Sequence, residues 1–530
     1  MRLVVLGIAL AWLSAGLTAA NAAEPKPAPV TLDIAQGALA GTTEDGIASF
    51  KDIPFAAPPV GPLRWRAPQA APGWTGVRAA DKFGFTCPQQ RLPLLMRLLA
   101  PKLPESEDCL TLNVWTPDSH ARLPVMVWIY GGAFVRGSSA NPLFEGTDLA
   151  RHGVVVVTFN YRLGWLGFFS HPALAAENPG EPHGNYGLMD QIAALEWVKH
   201  NIAAFGGDPD NVTIFGESAG GMSVNDLMAS PRAAGLFEKA ISESGLGLTA
   251  TPTKDAAEAT AISFATRHDA AGTPAEIRER LRGLSVSQIL DDQEKLPSLS
   301  LVAPTIDGEI IPEEVSVAFA QGKIPHVPYM AGSNSNESTL MPALHMTPEG
   351  FLKNLGDALP VVRKVYEENG ALTDDALGRQ VFGDALFAGG AQGLADLVEK
   401  TGQPSYVYQF AYVSEAQRSD TPGVGHGGEL PYVFGVRGLL HNPLYASAVR
   451  KATPSDIAVV AQTQAYWTNF AKTGDPNGPG LPAWKTTSAS APMTLVVDDD
   501  GTKTVGGFRK NQLMLVYGNW TRRTGQPPLN

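Results

Sequence analysis

A serine sits between two glycines in Gly216-Glu217-Ser218-Ala219-Gly220, with the strand-like run 211–215 (NVTIF) before it and the helix-compatible segment 219–230 after it. The bare pattern arises easily in a chain with 55 glycines, and its place between strand and helix is what gives it chemical meaning. On so tight a turn the hydroxyl stands clear of the sheet edge, where a carbonyl carbon can reach it. The flanking glycines remove side chains that would collide in the bend. The implied chemistry is acyl transfer by a nucleophilic serine. That chemistry needs N–H donors aimed at the developing oxyanion. Gly131-Gly132-Ala133 follows the strand-like run 124–130 (PVMVWIY) and can turn its amides inward, and the amide of Ala219 is the natural further donor.

A serine nucleophile also needs a base, and the base needs an orienting acid, in the chain order Ser, acid, His. Of ten histidines, His268, His326, His345, His426 and His441 follow Ser218. His426 lies in the glycine-rich stretch 423–428 (GVGHGG), which can fold closely around a site. The others stand in apolar, proline-flanked or helical settings. Two acids remain open on pattern alone: Glu337, just past the strand-like run 328–331 (PYMA), and Asp307, in a turn-forming Asp-Gly pair.

The elements that must hold these residues alternate. Apolar runs at 124–130, 154–160, 211–215, 240–243 and 328–331 each lead into a glycine-rich or polar turn and then a helical pattern. This predicts an α/β architecture with a central, mostly parallel sheet flanked by helices. A helix is predicted over 188–200, with Ile192, Leu195, Trp197 and Val198 on its apolar stripe, and another over 456–472, with Ile457, Val460, Trp467 and Phe470. The stretch 253–295 reads as helices rich in alanine and charge, a cap or insertion outside the sheet.

At the start, Arg2, the apolar run 3–13 and Ala20-Asn21-Ala22 have the layout of a secretory signal peptide cleaved after Ala22. The run is too short to span a bilayer, which takes about 20 residues, so a secreted or periplasmic protein without a stable membrane anchor is expected. Residues 23–530 are expected to form a single domain that begins with a loose segment at 24–29 (EPKPAP) that no regular element could use. Apolar residues make up 44% and charged residues 17%, a globular composition. With 40 basic residues against 52 acidic and no basic run, nucleic acid is not an expected partner. The sequence carries no signal for oligomeric state. Cys87 and Cys109 are the two cysteines; after export they could close one loop, or stay as buried thiols. No metal-binding spacing and no phosphate loop is present, so no cofactor and no metal are expected.

Together these residues resemble the type B carboxylesterase and cholinesterase family of α/β-hydrolases, over about residues 30–520. Phe215-Gly216-Glu217-Ser218-Ala219-Gly220-Gly221 resembles its active-site signature, and Glu107-Asp108-Cys109-Leu110-Thr111-Leu112-Asn113-Val114 its second one. The runs at 58–64 (PPVGPLR), 205–209 (FGGDP) and 467–474 (WTNFAKTG) are similar too. Gly332-x-Asn334-x-x-Glu337 resembles the acid segment, which favours Glu337, and 425–430 (GHGGEL) the histidine segment. The resemblance implies an α/β-hydrolase fold and hydrolysis of small-molecule carboxylic esters through an acyl-enzyme on Ser218, with His426 as base and Glu337 as orienting acid. It further implies oxyanion donors at Gly132, Ala133 and Ala219, a Cys87–Cys109 disulfide and an Arg64–Glu107 ion pair.

Two departures bear on substrate. Many relatives have a glycine where Ala133 stands; the added methyl leaves the N–H in place but narrows that side of the pocket. Cholinesterases carry a tryptophan in the disulfide loop that holds a quaternary ammonium by cation–π attraction. Residues 88–108 contain no aromatic and offer Leu92, Leu94, Leu95, Met96, Leu98 and Leu99 instead, so choline esters are disfavoured. Non-catalytic binding relatives typically lack the serine or the histidine, and both are present here. The same groups would serve amide, carbamate or thioester bonds.

Overall fold

The run 154–160 (VVVVTFN) shows no polar alternation, so it suits a strand covered on both faces. It forms β7 (Val155–Phe159), buried along its whole length. The computed structural model describes residues 28–91, 103–296, 302–419, 421–435 and 452–529. The expected leader (1–22), the leucine-rich run of the disulfide loop (92–99) and His441 lie outside them.

Next to β7 lie β6 (Leu123–Ile129), β8 (Gly207–Glu217), β9 (Lys239–Glu243), β10 (Tyr329–Asn334), β11 (Ser405–Phe410) and β12 (Met493–Asp498), in that spatial order, each pair of neighbours parallel. Antiparallel strands extend both edges. On one side β5 (Thr111–Thr116), β3 (Ile47–Pro54), β2 (Gly37–Glu44) and β1 (Ala28–Ile34) follow, with β4 (Val77–Ala79) paired to β2; on the other is β13 (Gly501–Gly506). The sheet is thus large and mostly parallel through its centre, as the alternation of runs predicted. Helices Tyr186–Asn201, Ala219–Ala229, Gly389–Glu399 and Pro454–Thr473 pack on it. Ile192, Leu195, Trp197 and Val198 are all buried on the first of these.

Two local expectations are corrected. Residues 28 and 29 were expected to lie outside any regular element, yet Ala28 and Pro29 open β1, where Pro29 pairs with Thr42. Proline lacks the N–H a ladder needs, but β1 is the outermost strand, where a missing donor costs little. Ile457 was placed on the apolar stripe of its helix and is instead 59% exposed. The inward residue of that first turn is Asp456, which closes a capping box with Thr453 and accepts from the Tyr412 hydroxyl at 2.8 Å. Ile457, one residue on and about 100° around the helix axis, turns out to solvent.

The stretch 253–295 contributes no strand: it folds into helices Lys254–Arg267, Pro274–Arg282 and Val286–Gln293, the last two opened by capping boxes. Arg64 ties this insertion to the segment before β5. Its Nε donates to Glu107 Oε1 at 2.7 Å, while Nη1 donates to the carbonyls of Arg282 (3.0 Å) and Leu284 (2.6 Å). Next to Glu107 the chain is closed by a Cys87–Cys109 disulfide.

Candidate active site

In open α/β sheets the carboxyl ends of parallel strands form the crevice where ligands bind. Here β6 leads into Gly131, β8 into Ser218 and β10 into Glu337, and the chain returns after β11 with His426.

Ser218 joins β8 to helix Ala219–Ala229 with φ 57° and ψ −120°. For a residue with a side chain this is a strained conformation, costing about 1–3 kcal/mol, which persists only when the surroundings impose it. They do: Ser218 N–H donates to Glu243 O at 2.9 Å, and Met222 N–H to Ser218 O at 2.8 Å. A Cβ on Gly220 would lie 1.9 Å from Ile129 O, and one on Gly216 would lie 2.6 Å from the same oxygen. The helix can therefore start hard against β6 only with glycine at both positions.

The 131–134 turn is pressed against this bend. A Cβ on Gly131 would lie 3.0 Å from Ser218 Cβ, and Gly132, Ala133 and Phe134 all have positive φ (119°, 55° and 61°). The N–H groups of Val135 and Arg136 both donate to Gly132 O at 3.1 Å, closing the turn. Backbone of this kind can gather successive N–H groups into an anion-binding concavity, and the turn carrying the Gly132 and Ala133 amides lies beside Ser218.

His426 Nε2 lies 2.8 Å from Ser218 Oγ, and its Nδ1 lies 2.6 Å from Glu337 Oε2. The histidine loop is laced onto the acid segment. His426 N–H donates to Thr339 Oγ1, Asn336 N–H to Val424 O, and Val424 N–H to Ser335 Oγ, at 2.8–2.9 Å. The other oxygen of Glu337 accepts from Ser244 Oγ (2.6 Å) and from Asn334 N–H (2.7 Å). Asp307, the alternative acid, closes its own turn instead, accepting from the N–H groups of Glu309, Ile310 and Ile311 and from Asn185 Nδ2. His268 packs against Phe264, ring centroids 4.5 Å apart and tilted by 45°.

Behind the imidazole lies a group of buried carboxyls that pattern reading passed over. Glu217 Oε1 is 3.3 Å from His426 Nε2. Burial pushes the Glu217 carboxyl up to about 7, opposed by His426 and assisted by Glu337. Burial likewise raises Glu429 to about 8, helped by Glu217 and Glu337, and lifts Glu243 well above the carboxylate range, helped by Glu429. Glu243 accepts from the Trp467 indole N–H at 2.8 Å, and Glu429 from Asn334 Nδ2. For His426, burial lowers the pKa, but the carboxylates of Glu217 and Glu337 more than offset it, so the imidazole sits above its ordinary 6.5. Ser244 had shown itself only as part of a Ser-Gly turn after a short strand. Glu217 had a visible place in the motif, but nothing in that place marked it as a neighbour of the base. Among the described residues, no group of three or more histidine, cysteine, aspartate or glutamate side chains is arranged to hold a metal ion.

A serine on a strand-to-helix bend at the carboxyl edge of a largely parallel sheet, with the acid and histidine segments following later strands, defines an α/β-hydrolase. A sequence model of the carboxylesterase family matches residues 28–516. The chain belongs to that family, and the kind of enzyme is a carboxylesterase. It is 37% identical to the para-nitrobenzyl esterase of Bacillus subtilis, over 88% of this chain and 94% of that one. It is 35% identical to the fumonisin B1 esterase of Sphingopyxis macrogoltabida (88% and 87%) and 35% identical to the liver carboxylesterase of Sus scrofa (87% and 88%). A solved PNB esterase superposes with a TM-score of 0.77 at 33% identity, covering 91% of this chain and 99% of the other.

Proposed function

We propose that this carboxylesterase works through an acyl-enzyme on Ser218, with His426 as general base and Glu337 as the acid that orients it. The observation that carries the reading is the imidazole reaching the serine oxygen on one side and the buried carboxylate on the other, at 2.8 and 2.6 Å. His426 removes the Ser218 proton as Oγ attacks the ester carbonyl. The tetrahedral oxyanion is held by the N–H groups of Gly132, Ala133 and Ala219, each well-aimed donor contributing about 3–4 kcal/mol. Glu337, kept in place by Ser244 and the Asn334 amide, stabilises the imidazolium. His426 then protonates the departing alcohol, and water releases the acid by the same steps in reverse.

The substrates proposed are small carboxylic esters without a quaternary ammonium. The relatives named for para-nitrobenzyl and fumonisin esters support aromatic and bulky esters as first choices for a screen. Residues 23–530 are proposed to act as a single domain after removal of the leader 1–22, in the periplasm or the medium. Among the described residues, no helix is long and apolar enough to cross a membrane.

The test is Ser218→Ala together with a fluorophosphonate probe. The variant should lose about five to six orders of magnitude in kcat on p-nitrophenyl esters, as removal of the nucleophile does in a comparable triad, and should no longer take the probe. Near-parental turnover by pure Ser218→Ala would refute the mechanism.

A further inference from the structure

Helix Asp374–Gly383 does not run straight into helix Gly389–Glu399. Between them lies a single π-helical turn, Asp384–Ala388, closed by the Gly389 N–H donating to Asp384 O. Such turns hold one residue more than an α-turn, push a side chain out of the regular helical register, and recur at functional sites. The turn carries Phe387. Phe387 is 1% exposed, and its ring centroid lies 5.2 Å from that of His426 at an interplanar angle of 49°.

The turn is pinned from outside. One oxygen of Asp384, Oδ2, accepts from Tyr366 Oη (2.7 Å), Arg509 Nε (2.9 Å) and Arg509 Nη2 (2.6 Å). Arg509 caps the helix Lys510–Thr524, and its guanidinium lies over the Tyr366 ring at 5.7 Å. A Cβ on Gly389 would lie 2.8 Å from both Asp384 O and Val516 Cγ1, so the turn also meets that last helix at the closest approach glycine permits. A buried ion pair is weak evidence for stability, because taking both charges out of water costs about as much as their attraction returns. What a three-donor clamp on one oxygen does well is fix a position.

We propose that Phe387 is a positioning residue for the base: the clamped π-turn holds its ring against the His426 imidazole, so that Nε2 stays on Ser218 and Nδ1 on Glu337, and Asp384 and Arg509 act on the reaction through it. The inference rests on the triad reading above. The Ser218–His426–Glu337 line is held at its two ends by hydrogen bonds, which still permit the ring to tilt about the axis joining its nitrogens; an aromatic ring packed against the imidazole removes that freedom. Loss of alignment of this kind lowers the rate of the chemical step and leaves substrate binding nearly intact.

The experiment compares purified Phe387→Ala, Phe387→Leu and Asp384→Asn with a control, Phe351→Ala, on a p-nitrophenyl ester, with Tm measured for each. Phe351 belongs to the same aromatic cluster, meeting Phe382 edge-on with ring centroids 5.5 Å apart. Phe387→Ala should lose about 100-fold in kcat, the scale of a 1 Å misplacement, with KM within about threefold of the parent. Phe387→Leu should recover part of the loss, and Asp384→Asn should lose about tenfold with the same unchanged KM. Phe351→Ala should lower Tm and leave kcat near parental. Should Phe387→Ala fail to fold, Phe387→Leu decides alone: it too is expected below the parent in kcat at unchanged KM. The proposal is overturned if the folded Phe387 variants keep parental kcat, or lose no more than Phe351→Ala, or lose activity through KM. A His426→Ala protein that retains full activity would instead bring down the triad reading.

Discussion

Replacing Glu217 by glutamine should move the acid limb of the pH–rate profile to lower pH. The carboxylate lies 3.3 Å from His426 Nε2; Glu217 is buried, and the His426 side chain is 12% exposed. At an effective dielectric of about 20, two unit charges at that separation interact by about 5 kcal/mol, a ceiling of about 3–4 pH units at 1.36 kcal/mol each. The interaction acts only while Glu217 is ionised, and burial holds its own pKa at about 7. With His426 raised to about 10, Glu217 carries its charge across the range where the imidazole titrates; the Glu337 carboxylate stays in the variant and local screening keeps the effect below the ceiling, at about 1–2 units. The sign follows from the role of the base. His426 must be neutral to accept the Ser218 proton, and a raised pKa means activity is lost on acidification sooner than an ordinary imidazole near 6.5 would lose it. Without the carboxylate the imidazole deprotonates more readily, and activity should persist to more acid pH. The same carboxylate also stabilises the imidazolium formed during attack, so the plateau kcat should fall by about tenfold. The assay is kcat/KM on a p-nitrophenyl ester followed by pH-stat from about pH 5 to 11, with the same folded state verified for both proteins. An acid limb that stays in place or shifts to higher pH in Glu217→Gln would refute the reasoning.

Other expectations concern support and stability. Ser244→Ala removes the 2.6 Å donor to Glu337 Oε1 and should lower kcat by about tenfold with little change in KM, since a hydrogen bond to a charged group is worth about 1.5–3 kcal/mol; parental kcat would show that Asn334 N–H alone suffices. Converting Cys87 and Cys109 together to serine opens a loop with a sequence separation of 22, for which the chain-entropy model gives about 3.4 kcal/mol. Urea melts should show an unfolding free energy lower by that margin, read as a lower midpoint at unchanged m, and an unchanged midpoint would mean that residual structure already restricts the loop in the unfolded chain.

What could be read from the sequence divides along physical lines. The parallel centre of the sheet was legible because strands covered on both faces must be continuous apolar runs, as in β6 and β7. The element at Ala28 and Pro29 was not, because the proline rule speaks of interior strands and the chain does not announce which strand will be outermost. Ile457 misled for a related reason: its spacing fits the stripe, but the capping box at Thr453 and Asp456 turns the carboxyl inward and leaves the isoleucine outside. At the site, pattern singled out positions 218 and 426 by glycine context, while 337 and 307 stayed level until family motifs were weighed, since both acids sit in turns beyond short apolar runs. Ser244, Glu217 and Phe387 were unreadable in the roles assigned to them here. Ser244 meets Glu337 across 93 positions, and no local signal records such an encounter. The placement of Phe387 depends on a π-turn, which has no simple composition of its own.

The lacing of the histidine loop onto the acid segment separates two evolutionary problems. Since Val424, His426, Ser335, Asn336 and Thr339 hold one another through backbone and hydroxyl contacts, the backbones that carry imidazole and carboxylate travel as one prefabricated part. Segments of the chain outside that part can then be reshaped to admit new esters with the proton-transfer machinery left untouched. A laboratory search for altered selectivity should draw its gains from those outer segments, and changes at 335–339 or 424–426 should surface among losses of turnover shared by every substrate.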